Sequence, residues 1–424
     1  MATSTLASLK DIDLADPDLH LRNEQVEIFR RLRQEAPVHW NESRGDFAPF
    51  WSLTKYEDVI RVSRNPQLFS SEQGISIPPA VTEEQPTYAM MGKMLIVMDP
   101  PRHVRLRRLV NKGFTPRAVS MLDGEIRRIT RDLLDGVAAR GSCDFVVDVA
   151  AQLPLAVICS MMGVPDRDRD LMFRLTNKVL GAADPEYQED LPEGVLRGTP
   201  EASRATGMGG VMGMMGYFAE AVKELRAGRR GEDITSILVE AEVDGEKLSD
   251  EEIMMFCFLL IVAGNETTRN AISGGMRAFS EFPDQRAKLI ANPGLIDSAV
   301  EEIIRYVSPV AHMTRVANAD TEIRGQAIKA GERVCMWYQS ANRDEEMFAD
   351  GDRFDITRTP NEHIAFGIGE HFCLGAGFAR LELKVMFEEL FARLPDAAVS
   401  GPVERLRSNF IGGIKHLPVS FRPS

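Results

Sequence analysis

The strongest constraint on the fold is a helical pattern of apolar residues that runs from Asp250 to Phe282. It contains a run of ten apolar residues, MMFCFLLIVA, from Met254 to Ala263. Ten residues are too few to span a bilayer, so the run predicts a helix buried inside a large protein core. The chain can supply that core, because 44% of its 424 residues are hydrophobic and 27% are charged.

Most other segments also repeat their apolar residues with a helical period. Helices are predicted near 24–35, 55–64, 101–112, 116–139, 147–163, 166–180, 208–227, 232–241, 283–291, 294–306 and 374–393. Strand patterns are fewer, with FWSLT before the helix at 55, a hairpin-like alternation at 321–339 and a last pair within 405–422. The sequence therefore predicts a mainly α protein with a minor β-sheet.

Charge and cysteine content exclude several classes of protein. The net charge is −13, so a nucleic-acid partner is not expected. The five cysteines are widely scattered, and they form neither a zinc-ligand spacing nor a disulfide framework. The first twenty residues have neither the basic start nor the apolar core of a signal peptide. A reduced, cytoplasmic protein without a membrane anchor is therefore expected.

The sequence AGNETT, Ala263 to Thr268, interrupts the apolar face of the long helix. Gly264 costs a helix about 1 kcal/mol relative to alanine, and the Thr267 hydroxyl can bond the carbonyl of Ala263, four residues back. A polar helix face turned to water explains such a break equally well. The acid–alcohol pair of Glu266 and Thr267, deep in an apolar helix, also suits proton transfer beside a reactive centre.

A single cysteine, Cys373, lies in the glycine-rich sequence FGIGEHFCLG, residues 366–375, at the predicted start of a helix. Backbone N–H groups and the helix dipole favour a thiolate at such a position. The flanking glycines permit a bent backbone and close approach by something large and flat. Most lone cysteines are buried structural residues, but this setting favours a metal ligand or a nucleophile. A third pattern is Glu302 and Arg305 in EEIIR, which can pair at i, i+3 on one helix face.

Together these three patterns resemble those of the cytochrome P450 family. Phe366, Gly369, Cys373 and Gly375 match its haem-binding signature F-x-x-G-x-x-x-C-x-G, and Glu302 with Arg305 matches its E-x-x-R pair. AGNETT is similar to its oxygen-activating helix motif. The resemblance implies one domain over 1–424, which includes an N-terminal segment at 1–23, with haem b between the long helix and the cysteine-bearing loop. Residues 74–94 and 181–207 are then expected to be mobile substrate-access loops.

The resemblance also implies roles for individual residues. Cys373 is expected to be the axial ligand of the haem iron, and Glu266 and Thr267 to deliver protons to oxygen. Glu302 and Arg305 are expected to be structural, with Arg353 as their third partner and Arg358 as the alternative. The residues expected to contact haem are His103, Arg107, Arg315 and His371 at its propionates, with Phe366 and Gly367.

Electrons are expected to come from separate proteins, because the chain has no G-x-G-x-x-G motif and no fused flavin or iron–sulfur module. The resemblance implies a ferredoxin and an NAD(P)H-dependent ferredoxin reductase. The stretch from Arg102 to Arg117 holds six Lys or Arg and no acid. It is the predicted docking face for an acidic ferredoxin, although a solvated helix face explains the same pattern.

Stretches such as GFTPRAVSMLDGEI, AGNETTRNAI and ERLRSNFIGGIKHLPV resemble the bacterial subgroup that acts on steroid side chains, methyl-branched lipids and isoprenoids. Hydroxylation of a C–H bond with O2, at a terminal methyl group, is therefore expected, with a monoterpenoid substrate as the alternative. The predicted pocket is apolar. It comprises Met94, Val97, Met98, Ala263, Gly264, Val310, Ala311, Met313, Phe410 and Ile411.

Three other activities are compatible with parts of the pattern. A peroxygenase of the same family is disfavoured, because the acid–alcohol pair is intact. A haem sensor or ligand carrier would not require that pair or a basic docking face. A cysteine hydrolase would use Cys373 with His371 as its base and would bind no haem.

Overall fold

The computed structural model describes residues 8–42, 44, 47–77, 92–229, 231–243 and 245–423. Residues 78–91 of the predicted loop at 74–94 lie outside this part of the chain, as do residues 1–7 of the N-terminal segment. The described residues form fifteen α-helices: α1 Pro17–Leu21, α2 Gln25–Glu35, α3 Tyr56–Ser63, α4 Arg102–Val110, α5 Pro116–Met121, α6 Asp123–Ala138, α7 Gln152–Met162, α8 Arg169–Leu180, α9 Pro200–Arg226, α10 Ile234–Glu240, α11 Asp250–Glu281, α12 Pro283–Ala291, α13 Ile296–Val307, α14 Tyr338–Ala341 and α15 Ala376–Arg393.

The strands are short. They are β1 Val38–Asn41, β2 Phe50–Leu53, β3 Phe69–Ser70, β4 Ser142–Asp144, β5 Glu242–Val243, β6 Glu246–Lys247, β7 His312–Ala317, β8 Thr321–Ile323, β9 Gln326–Ile328, β10 Arg333–Trp337, β11 Ala398–Val399, β12 Glu404–Arg405, β13 Ile414–His416 and β14 Pro418–Ser420. The largest sheet has the order β1-β2-β10-β7-β3, and β10 pairs parallel with β2 and antiparallel with β7. The predicted mainly helical fold with a minor sheet is confirmed.

The long helix α11 is bounded by local signals in the sequence. Ser249 caps its N-terminus and exchanges hydrogen bonds with Glu252 in a capping box. The helix ends at Glu281, and Pro283 starts the next one. No helix in the described part of the chain combines the length and apolar character that crossing a bilayer requires.

Helix α11 passes through two apolar clusters. Its N-terminal half, Ile253–Val262, packs in one cluster with α7, α9 and α10. Its C-terminal half, from Ala271 to Phe279, packs in another with α6, α13 and α15. The polar segment at 263–268 lies between the two clusters, so the fold places the AGNETT sequence at an opening in the core.

Three details of the predicted fold are wrong. Residues 200–207, predicted as loop, are the first two turns of α9, which starts from a Thr199 cap and Pro200. The hairpin within the predicted alternation at 321–339 is formed by β8 and β9, but the strand at 333–337 is not part of it and pairs with 312–317 and 50–53. Helix α15 begins at Ala376, three residues after Cys373.

The predicted last strand pair is present, since β12 pairs antiparallel with β13. Strand β14 joins β4 and β11 instead.

The remainder of the predicted loop at 181–207 is folded back on itself and on the C-terminal strands. Gln188 donates 2.9 Å to the Ala182 carbonyl and accepts from the Gly198 N–H. Lys415 lies 3.1 Å from Asp184 and 2.7 Å from Glu186. The predicted mobility of this segment stays a prediction.

Candidate active site

A cavity opens at the break in the core beside the middle of α11. It encloses about 250 Å³. Ala263, Gly264, Thr267 and Thr268 of α11 lie on one side, and Cys373 lies on the other.

The loop that carries Cys373 is held by its own backbone. The Cys373 N–H donates to the Phe366 carbonyl at 2.9 Å. Gly367 and Gly369 take φ values of 70° and 77°, in the left-handed region that glycine favours. A side chain at Gly375 would meet nothing within 4 Å, so open space lies next to the thiol. The loop therefore forms one face of a cradle.

The Cys373 thiol is not an activated nucleophile. Burial raises its pKa, although the Gly375 N–H and the charge of Arg107 act in the opposite direction. His371 points elsewhere, since its Nε2 lies 3.2 Å from the Ser71 hydroxyl. These contacts disfavour the cysteine-hydrolase alternative. A cation bound at the sulfur would offset the burial and stabilise the thiolate.

Four basic side chains converge on another wall of the cavity: His103, Arg107, Arg315 and His371. The rings of His103 and His371 have centroids 4.3 Å apart. Among the described residues, none of the four pairs with a carboxylate. Burial lowers the pKa of His103 to about 4 and that of His371 to about 2, with added repulsion from the two arginines. This wall lacks a counter-anion.

These residues fit haem b. Both ring nitrogens of His103 are buried without a hydrogen-bond partner, and burial lowers the pKa of Arg315. Such a set matches the carboxylates of a bound ligand, for which arginine offers paired donors. Cys373 would supply the iron ligand, and the space over Gly367 and Gly375 would admit a flat ring. Phe366 also lines the cavity.

On the α11 side, Thr267 and Glu266 have different environments. The Thr267 hydroxyl donates to the Ala263 carbonyl at 2.7 Å and borders the cavity. Glu266 does not line the cavity. It is 1% exposed and is paired with Arg269, which also donates 2.8 Å to Asn177 on α8. Burial raises the pKa of Glu266, and the charge of Arg269 opposes this effect.

Most of the remaining cavity wall is apolar, but only part of it was predicted. Ala263, Gly264, Val310 and Met313 line the cavity as expected. Gly264 also lets α11 approach α7, because a Cβ there would lie 3.1 Å from Ile158. Further apolar residues line it: Leu95, Ile96, Ile158, Phe256, Leu259 and Leu260.

The other six predicted pocket residues do not line this cavity. Met94, Val97 and Met98 are core residues with 2–4% exposure, because the 3₁₀ turn at 95–97 presents Leu95 and Ile96 instead. Ala311 packs in a separate cluster with Trp337. Phe410 contacts the His312 ring, and Ile411 borders a second cavity.

The pair of Glu302 and Arg305 is present, but its predicted third partner is wrong. Both side chains are fully buried. Arg358, the alternative, lies 3.3 Å from the Glu302 carboxylate. Arg353 contributes its backbone carbonyl, at 3.0 Å from Arg305, while its side chain is 59% exposed.

Sequence reasoning missed several residues of the site. Tyr338 and Glu382 line the cavity, and burial raises the pKa of Glu382 to about 8. Arg269 was missed although it lies three residues after Glu266, the same spacing that was noticed for Glu302 and Arg305. Tyr338 and Glu382 carry no comparable local signal.

The comparisons with known proteins agree with this site. The family model for cytochrome P450 matches residues 19–394. A methyl-branched lipid omega-hydroxylase of Mycobacterium tuberculosis is 42% identical over 97% of this chain and 95% of its own length. A steroid C26-monooxygenase of Mycolicibacterium smegmatis is 39% identical over 97% of this chain and 94% of its own.

The fold of this chain is also similar to that of a solved structure. A Mycobacterium marinum cytochrome P450 in complex with pseudoionone has a TM-score of 0.86 and 35% identity, over 97% of this chain and 98% of that one. The predicted family, cofactor and class of enzyme are confirmed: with a cysteine loop, a basic wall and a broken central helix around one cavity, the chain belongs to the cytochrome P450 family of haem b-dependent monooxygenases.

Proposed function

We propose that this monooxygenase hydroxylates a terminal methyl group of an elongated apolar substrate, a steroid, a branched lipid or an isoprenoid. The observation that carries the proposal is the apolar wall that Leu95, Ile158 and Phe256 form beside Ala263 and Gly264. Burial of the substrate there would contribute about 25 cal/mol per Å². The relatives that act on methyl-branched lipids and on steroid C26 support the same chemistry.

One group of site residues would bind haem, and another would supply protons. When bound, haem b with a thiolate ligand supplies the oxygen chemistry, in which the thiolate favours O–O cleavage. Cys373 would hold it from one side, and His103, Arg107, Arg315 and His371 would bind its carboxylates. The Thr267 hydroxyl donates its hydrogen to the Ala263 carbonyl. Its oxygen lone pairs are therefore free to accept a hydrogen bond from a group in the cavity. Glu266 would supply protons from behind the helix, held by Arg269.

We further propose that electrons arrive from a ferredoxin at the outer face of α4. Arg102, Arg105 and Arg108 are exposed on this helix, while Arg107 turns inward and donates 3.0 Å to the Glu370 carbonyl of the cysteine loop. An acidic partner would be attracted to this face of a chain whose net charge is −13. The reductase of that ferredoxin would use NAD(P)H.

The substrate proposal is tested by titrating the ferric protein with a sterol, a methyl-branched fatty acid and a monoterpenoid. A shift to high spin with one of them, followed by a terminally hydroxylated product in a ferredoxin-supported reaction, is the expected result. Oxidation of the monoterpenoid alone would favour the alternative substrate. Absence of a shift with all three would exclude the proposed substrate class.

A further inference from the structure

A second cavity, of about 420 Å³, lies on the other side of α11 from the cysteine loop. Six separate parts of the chain line it: the segment at 20–29, the end of α11, the end of α13, the residues around α14, Asp352 and the segment at 405–414. It takes no part in the site described above. We name it the polar cavity, because many of its lining groups are charged or amide side chains.

Three arginines border the polar cavity, namely Arg277, Arg343 and Arg405. The carboxylates that border it are Glu281 and Asp352, which are 45% and 54% exposed at its rim. Three positive and two negative groups leave a net charge of +1 in a chain whose overall charge is −13. His20 adds no charge near neutral pH, because burial lowers its pKa to about 4.

Arg405 is a partly buried guanidinium without a partner. Among the described residues, it makes no side-chain hydrogen bond and no ion pair. Burial lowers its pKa to about 10; the charge of Arg277 acts in the same direction, and that of Glu281 opposes it. Arg405 therefore stays charged at neutral pH without a hydrogen-bond acceptor among the described residues.

One further donor in the same cavity, Nε of Arg277, is buried without a hydrogen bond; the buried Oε1 of Gln25 also lacks one, but it is an acceptor and would not bind an anion. Arg277 has only a long contact of 3.6 Å to Glu281. Arg343 is better held, because it lies 3.3 Å from Asp352 and donates to the carbonyls of Tyr306 at 2.6 Å and Gln339 at 3.3 Å. Buried donors that lack acceptors are costly, so the cavity is suited to an anion that would accept from several guanidinium groups at once.

We propose that the polar cavity is a binding site for one small oxyanion, a carboxylate or a phosphate, held by Arg405 and Arg277, with Arg343 adding positive charge. Its volume lies within the range of small-ligand pockets, about 300–1,000 Å³. Gly412 shapes one wall, because a Cβ there would collide with the Gln339 amide at 2.1 Å. The wall between the two cavities includes the bridge from Ile411 to Val310, so the sites are adjacent but separate.

The test is calorimetric titration of the full-length, haem-loaded protein with sodium citrate and, separately, with inorganic phosphate, at constant ionic strength. We expect saturable binding of one anion per chain, and the comparison of the two probes identifies the preferred group. Arg405→Gln should weaken binding about tenfold or more, equivalent to about 1.4 kcal/mol. Arg405→Lys should have an intermediate effect, because it keeps the charge and loses the paired donors.

Arg422→Gln is the matched control, since Arg422 is on the same C-terminal segment but is 92% exposed. This variant should bind the anion with the affinity of the wild type. If Arg405→Gln does not fold by circular dichroism, Arg277→Gln replaces it and should weaken binding to a similar degree. Two results would overturn the proposal: no saturable binding of either probe below about 10 mM, or equal affinity in the wild type and the folded arginine variant.

Discussion

Arg305 donates two hydrogen bonds of 2.8 Å to the Glu302 carboxylate, through Nε and Nη2, and neither side chain has any exposed surface. Removing one partner of a buried ion pair leaves the other charge without solvent or partner. We therefore expect Arg305→Leu to lower the free energy of unfolding by about 3–5 kcal/mol. Chemical denaturation followed by circular dichroism measures the change.

A second pair of variants tests which arginine is the third member of the buried cluster around Glu302 and Arg305. Arg358→Ala removes the contact of 3.3 Å to Glu302 and should be clearly destabilising, whereas Arg353→Ala should cost no more than about 0.5 kcal/mol because that side chain is 59% exposed. Equal destabilisation by the two variants would refute the assignment of Arg358.

The hydroxyl of Thr267 is expected to determine the coupling efficiency, which is the amount of product formed per NAD(P)H consumed. Thr267→Ala removes the group that borders the cavity and bonds the Ala263 carbonyl. Product formed per NAD(P)H consumed should fall about tenfold or more, with peroxide rising in its place. Thr267→Ser keeps the hydroxyl and should restore most of the coupling. An unchanged ratio in Thr267→Ala would show that this hydroxyl is not needed.

Attachment of the segment at 181–199 should depend on pH through His416. Its Nδ1 lies 2.5 Å from Asp144 and its Nε2 lies 3.1 Å from Glu186. Burial alone would lower the pKa of His416, but the hydrogen bond with Asp144 and the charge of Glu186 raise it above the ordinary 6.5. Since the folded pKa is the higher one, this contribution is complete below pH 6.5 and is lost as pH rises through the folded pKa.

Hydrogen exchange in residues 181–199 measures this effect. Exchange should accelerate as the pH rises above the folded pKa of His416, after correction for the intrinsic rate. The partly exposed pair contributes about 1 kcal/mol or less, so the change should be a few-fold. His416→Gln should exchange faster at low pH and lose the pH dependence. A pH dependence that survives in His416→Gln would assign it to another group.

The exposed face of α4 is expected to set the rate of electron delivery. Arg108→Glu places a negative charge on this face and should slow association with an acidic ferredoxin about tenfold at low ionic strength. Stopped-flow reduction at several salt concentrations measures the rate, and the salt dependence should become weaker. Arg422→Glu, exposed but on the C-terminal segment, is the control. Equal rates in both variants would place the docking face elsewhere.

Local patterns predicted the helices well, because each helix carries its own periodicity and caps. The bounds of α11 are within one residue of those expected, and Pro283 marks its end. Short strands were missed because they are defined by distant partners. Strand β4 at 142–144 pairs with β14 at 418–420. Three residues are too few to show a periodicity from which this pairing could be predicted.

The same contrast holds at the site. Cys373 and the four basic residues were found because motif spacing specifies them. Pocket residues were predicted less well, since a 3₁₀ turn decides that Leu95 and Ile96, and not Met94 or Val97, face the cavity. The polar cavity was not predicted at all, because its walls come from segments that are hundreds of residues apart.

The central claim, that Cys373 binds the haem iron as a thiolate, is tested most directly by the absorption spectrum of the reduced, CO-treated protein. The wild type should show the strongly red-shifted band of thiolate ligation, and Cys373→Ser should lose it. A band typical of histidine ligation in the wild type, or a red-shifted band that persists in Cys373→Ser, would contradict the assignment.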